Sequence, residues 1–240
     1  MTGFNWLKET IKARPDLFRL VNEFNQHPQN WIHPDILDSI PQGSLMRFLS
    51  GTLPGRDIAC RWINSHLNLG EATTFWDFED RRRRLALLSW ERLNQLAGSI
   101  GCTLNADKIV TMIGRNDLAD LKNHVGTEAY NFSLRRGSEI AIPTALRGFA
   151  DAWNASVQST DNRKVVGQRS MELGWAVLRG SLAEDPQPLR HRFHLKIPPD
   201  YKGSANTEDE NQGCCSSSSW EVVERVMERI LPKSELRCFN

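Results

Sequence analysis

Along most of this chain the apolar residues recur three and four positions apart in short runs, and proline or glycine closes each run. That spacing lines up apolar side chains on one stripe of a helix and argues against long strands. Arg14-Pro15-Asp16 opens one such run, with proline where a first helical turn tolerates it and Leu17, Leu20, Val21 and Phe24 behind it. Short helices are expected over 34–40, 45–49 and 57–66, separated by polar, proline- or glycine-marked breaks. The longest is expected over 72–100, with Phe75, Phe78, Leu85, Leu88, Trp90, Leu93 and Leu96 as its apolar set. Further helices are expected from Asn105, Asp117, Pro143 and Asp161, with a short one around Tyr130 and Phe132.

Two segments break the pattern. Residues 190–197 alternate apolar and polar side chains up to Pro198-Pro199, which predicts a strand. Residues 201–219 are dominated by Gly, Ser, Asn, Glu, Asp and Gln, which predicts a disordered linker. After it, Trp220, Val223, Met227 and Ile230 share one stripe of an amphipathic helix closed by Pro232, with the Ser216 to Ser219 run as its cap. The expected fold is mainly α. A compact multi-helix domain covers 1–199 with a short β element near 190–197, a disordered linker covers 200–219, and a C-terminal helix over 220–240 packs back on the domain.

Composition narrows the function classes. At 240 residues and 40% hydrophobic, the chain can bury a real core. Its 30 Lys and Arg nearly cancel 29 Asp and Glu, which argues against a dedicated nucleic-acid binder with its clustered cationic face. No apolar run approaches the ~20 residues that span a bilayer, and Met1 to Trp6 carry no secretory pattern. Five scattered cysteines, with no CxxC and an adjacent Cys214-Cys215 pair, fit a reducing cytoplasm.

Motifs for chemistry are sparse. Neither a phosphate-binding loop, nor GxGxxG, nor the nucleophile elbow GxSxG occurs, and no catalytic, cofactor-binding or metal-ligating residue is assigned. On a strand His191 and His194 would face opposite sides, and His27 and His33 have no ligand partner at useful spacing. Arg81, Arg82, Arg83 and Arg84 follow Glu79 and Asp80, which reads as a solvated helix face with salt bridges or as a dock for an acidic protein surface. Eight tryptophans outnumber two tyrosines. Trp62, Trp90, Trp153, Trp175 and Trp220 fall at helical core positions, whereas Trp6 and Trp31 lie nearer the terminus or loops and are candidates for partner contact.

The last third carries an ordered set of features. A helix with Leu173-Gly174-Trp175-Ala176-Val177-Leu178 precedes Asp185-Pro186-Gln187-Pro188 and then Arg192-Phe193-His194-Leu195-Lys196-Ile197-Pro198. A spacer follows, and then the run from Val222-Val223-Glu224-Arg225 through Glu228-Arg229-Ile230-Leu231-Pro232. This order resembles the SctK family, accessory cytoplasmic proteins of bacterial type III secretion systems (the YscK, PscK and HrpD group, with NolU in nodulating rhizobia). Trp31 with His33-Pro34-Asp35-Ile36-Leu37, and the stretch 93–121, are compatible with that family's helical middle. The resemblance implies a non-enzymatic, cofactor-free adaptor in the sorting platform. It would join an SctD-like inner-ring protein to an SctQ-like pod protein, which connects through SctL to the SctN ATPase. It also implies a location on the cytoplasmic face of the inner membrane, held there by protein partners.

An adaptor needs two surfaces. Position suggests the amino-terminal third with Trp31 and Asp35 for one, the C-terminal helix with Trp220 and Met227 for the other, and the Arg81 to Arg84 cluster as a third candidate. The competing expectations are a small helical hydrolase or transferase using residues such as His124, Glu128 and Asp151, and a basic-helix nucleic-acid binder.

Overall fold

A computed structural model describes residues 2–70, 74–111, 114–160, 166–201 and 216–239. All regular structure among them is helical. In chain order the helices are α1 (Thr2–Ala13), α2 (Pro15–Gln26), α3 (Pro34–Ser39), α4 (Gly43–Ser50), α5 (Leu53–His66), α6 (Trp90–Leu104) and α7 (Ala106–Val110). There follow α8 (Arg115–Val125), α9 (Thr127–Arg136), α10 (Thr144–Thr160), α11 (Val166–Ser181), α12 (Gln187–His194), α13 (Ser216–Ile230) and α14 (Lys233–Leu236). Short 3-10 turns lie between them, including Arg81–Leu87 and Arg237–Phe239. A mainly α, multi-helix chain is what the helical spacing of its apolar residues dictates.

The chain divides into two compact units rather than one domain over 1–199. The first comprises Met1–Trp90, Asp185–Lys202 and Arg237–Asn240; the second comprises Glu91–Glu184 and Gly203–Leu236. In the first unit, α2 follows its sequence signal closely. Pro15 sits in the first turn, and Leu17, Val21 and Phe24 turn inward at helical spacing. Phe24 stacks on Trp31 at 5.2 Å and meets Phe78 edge-on at 5.5 Å, and Phe78 in turn meets Phe75 at 5.2 Å. Aromatic pairs in these arrangements add about 0.5–1.5 kcal/mol beyond the area they bury.

The expected strand at 190–197 is a helix. Pro186 precedes α12 and Pro188 lies in its first turn, so these prolines start a helix. Leu189, Arg192, Phe193 and Lys196 are all nearly sealed from solvent. They stand at i, i+3, i+4 and i+7, the inward stripe of a helical run, and two of its members are cations. The expected helix over 72–100 begins only at Trp90. Upstream, the side chain of Asn25 accepts from the Phe75 amide at 2.8 Å and donates to the Phe75 carbonyl at 2.7 Å. That pairing removes both backbone groups from any helical ladder. Asp80 then caps the 3-10 turn by accepting from the Arg82 amide at 2.9 Å.

In the second unit α11 buries 11 of its 16 residues, with Gln168, Arg169, Glu172 and Arg179 left half-buried. Its glycines set how closely neighbours approach. A Cβ built on Gly174 would lie 1.9 Å from the Ala97 carbonyl oxygen on α6, and one on Gly101 of α6 would lie 1.7 Å from the Ser170 carbonyl oxygen on α11. Backbone therefore packs on backbone at this crossing. A buried polar chain sits beside it: Asn154 donates to Asn105 at 3.0 Å, and Asn105 donates to the Ser170 hydroxyl at 3.1 Å. Val222, Val223, Val226 and Met227 form the buried face of α13.

The Ser216 to Ser219 run is the first turn of α13 itself, with Ser216 buried and donating to the Ser181 carbonyl at 3.3 Å. The linker expected over 200–219 otherwise falls, from residue 202 to 215, outside the described residues, as do Cys214 and Cys215. Tyr201 closes a 3-10 turn.

The glycine crossing yields a stability test. Gly174→Ala gains about 1 kcal/mol of helix propensity, but forcing a methyl into close-packed backbone costs up to about 3 kcal/mol. The expected result is a net loss of about 2 kcal/mol, read as a lower urea midpoint with unchanged slope.

Candidate functional site

Two clusters of cations stand out among the described residues of the first unit. In the core, Arg192 of α12 is fully buried and donates to the Phe24 carbonyl at 2.8 Å. Lys196 is 1% exposed and donates to the Leu88 carbonyl at 2.6 Å. Both cations lie over the Phe24 and Trp31 rings, Arg192 at 5.6 and 5.8 Å and Lys196 at 5.5 and 5.4 Å. Burial pushes the Arg192 guanidinium down to about 10, still far above neutral, so it stays charged.

The arginine run is the second cluster, and its members part ways. Arg83 donates Nε to Asp185 at 2.8 Å and also pairs with Asp77. Burial works against its charge, but the two carboxylates outweigh that and raise it. Arg84 is buried and donates Nε to the Phe78 carbonyl at 2.9 Å. Arg82 pairs with Asp80 at 2.9 Å; Asp80's partial burial is outweighed by hydrogen bonds from Arg82, which hold its carboxyl below the usual range. Arg81 is exposed and donates to the Phe239 carbonyl. The four side chains thus staple a turn, where a solvated helix face was expected.

Other predicted contact residues divide by burial. Trp31 is 5% exposed and Met227 is 0% exposed, so neither offers its side chain to a partner. Trp220 is half-buried on α13. Asp35 is exposed in the first turn of α3 beside His33, whose Nδ1 accepts from the Asp35 amide at 3.3 Å. His33 itself is buried, with its ring edge-on to Trp90 at 4.7 Å. On α13, Arg225 pairs with Glu221, and Arg229 pairs with Glu139 at 2.8 Å.

A surface that sequence reasoning missed lies on the α4–α5 helix hairpin. Phe48 is 74% exposed, Leu45 51% and Ile58 50%, while Gly43 and Met46 take the inward side of α4. Leu45 and Phe48 stand three apart and share one outer face of α4. The signal was present as Leu45, Phe48 and Leu49 in a short amphipathic run, but such a run does not declare which of its apolar residues stays in water.

For the enzyme expectation, His124 bonds the Asp120 carbonyl of its own helix at 2.8 Å, Glu128 accepts from Gln95 at 2.7 Å, and Asp151 is exposed. No hydrogen bond or ion pair joins those three. Within α12, His191 and His194 are three apart on a helix, and the His191 ring lies 3.2 Å from the Leu67 carbonyl. Among the described residues no group of three or more His, Cys, Asp or Glu side chains assembles into a metal site. Burial pushes the Cys102 thiol up to about 12, and burial also raises Cys60, so neither thiol is activated. No helix among the described residues is long and apolar enough to cross a membrane.

The two kinds of ion pair should separate on mutation. Asp185 is 3% exposed, and Asp185→Ala leaves a half-buried arginine short of its best partner, an expected loss of about 3 kcal/mol. Arg47→Ala breaks the exposed Arg47–Asp38 pair and should cost under ~1 kcal/mol. Urea unfolding of the two variants side by side checks the contrast. Comparison with known protein families, with curated proteins and with solved structures finds no match to this chain.

Proposed function

We propose that this chain is a non-enzymatic adaptor of a bacterial type III secretion system, bridging an SctD-like inner-ring protein and an SctQ-like pod protein. The observation that carries a protein-binding role is the α4–α5 hairpin, where Leu45 and Phe48 stand in solvent on α4 and Ile58 on α5. Large apolar side chains held out on a regular helix are stabilised by burial against a partner, at about 25 cal/mol per Å² removed from water. The identity of the partners is supported by the resemblance of residues 167–232 to the SctK family. On this proposal the protein works in the cytoplasm and reaches the membrane through its partners, and a nodulating symbiont is one host type that the NolU branch suggests.

The first contact surface is then the α4–α5 hairpin with exposed Asp35 close by in sequence, in place of Trp31. For the second, α13 offers only its outer side, with Trp220 at its half-buried edge.

The test is affinity capture of the tagged protein from cells expressing the secretion genes, with and without Leu45→Asp plus Phe48→Asp. Wild type should recover both the ring-type and the pod-type protein. The double variant, with its helicity unchanged by circular dichroism, should lose one of them by at least about tenfold, the effect of removing ~1.4 kcal/mol of binding. Recovery of neither partner by wild type would sink the adaptor proposal.

A further inference from the structure

Three arginine side chains in the first unit converge on one short strip of backbone. Arg14, just before α2, donates Nη2 to the carbonyl of Arg237. Arg84 donates Nη1 to the carbonyl of Cys238 at 3.1 Å, and Arg81 donates Nε to the carbonyl of Phe239. The Phe239 side chain is 1% exposed, while Arg237 is exposed and Cys238 half-buried. Burial, together with the nearby charges of Arg14 and Arg81, pushes the Arg84 guanidinium down, so the three cations crowd one spot.

Residues 237–239 form a 3-10 turn directly after α14. The last carbonyls of a helical segment have no partners within it, and they carry the negative end of its dipole. Three guanidinium groups aimed at three successive carbonyls therefore read the exit of a helical turn, and the Phe239 pocket reads one aromatic side chain.

We propose that Arg14, Arg81, Arg84 and the pocket holding Phe239 form a receptor slot for the carbonyl end of a helical turn bearing an aromatic residue. The chain's own residues 237–239 plug this slot, and a peptide turn of the same chemistry can displace them. The plug is held by these three hydrogen bonds and by one deeply buried side chain, Phe239. The preceding α14 spans only Lys233–Leu236, too short to be stable by itself, so release costs little local structure. Arg14, Arg81, Arg84 and Phe239 all belong to the first unit and none lies on α4, α5 or α13, so the proposal stands apart from the secretion partners.

The probe is a fluorescent peptide of residues 232–240 with serine replacing its cysteine, titrated by anisotropy against two full-length chains. In the intact chain the tethered plug competes at an effective concentration on the order of millimolar, so a peptide of ~10 μM intrinsic affinity binds about 100-fold more weakly than that. Phe239→Ala empties the pocket, and the peptide should bind this variant at least tenfold more tightly than the intact chain. Adding Arg81→Met, at an exposed position, should weaken that binding again by about tenfold, the loss of one charge-assisted hydrogen bond. A Phe239→Ala chain of native helicity that binds the peptide no better than the intact chain overturns the proposal. If that variant does not fold, the intact chain decides: excess peptide should speed alkylation of Cys238, located by mass spectrometry, at least tenfold. An unchanged Cys238 rate then overturns the proposal.

Discussion

The core of the first unit depends on two cations placed where charge is expensive. Arg192 and Lys196 flank the stacked rings of Phe24 and Trp31, and each gives a hydrogen bond to a carbonyl belonging to another segment, Phe24 or Leu88. Removing an ion from water costs several kcal/mol even after relaxation. An aromatic face returns up to about 2 kcal/mol to a desolvated cation, and a hydrogen bond from a charged donor returns about 1.5–3 kcal/mol. The balance closes only if rings, carbonyls and cations are all in register. Moving α12 away from α2 would leave bare charge in an apolar space, so the arrangement tolerates no half-formed version.

That device explains where the sequence could be read and where it misled. The α2 pattern was legible because its inward residues Leu17, Val21 and Phe24 are apolar, and proline marks its start. The stripe of α12 was illegible because Arg192 and Lys196 look like solvent-facing partners of Phe193 and Ile197, and scoring them as polar turns a period of 3.6 into a period of two. The segment 74–88 misled for a tertiary reason: its apolar spacing suits a helix, but a side chain fifty residues earlier, Asn25, captures the Phe75 amide and carbonyl. The arginine run was legible as salt-bridged, since Asp80 stands next to it. That Arg83 reaches Asp185, and that Arg84 is buried, depends on chain segments no local window contains.

The candidate surface shows the same asymmetry. Trp31 looked like a contact residue because it sits in a polar loop, but the loop folds it against Phe24 and beneath both cations. Leu45 and Phe48 marked only a short helix over 45–49, and they are the apolar residues of it left in water. Large apolar side chains say that something must be buried; which surface buries them is a property of the neighbouring elements. In the second unit α6 and α11 meet backbone to backbone at Gly101 and Gly174, where no side chain fits between them.

The first unit is assembled from Met1–Trp90, Asp185–Lys202 and the last few residues, with the second unit's residues intervening. On a ribosome this imposes an order of events. At about 5–20 residues per second, roughly 5–20 s separate the emergence of Trp90 from that of Asp185. During that interval Phe24, Trp31, Phe75 and Phe78 have been made but Arg192 and Lys196 have not. The nascent chain carries these aromatic residues past the whole of α6 to α11 before Arg192 of α12, and then Lys196, bring the two cations that lie over Phe24 and Trp31.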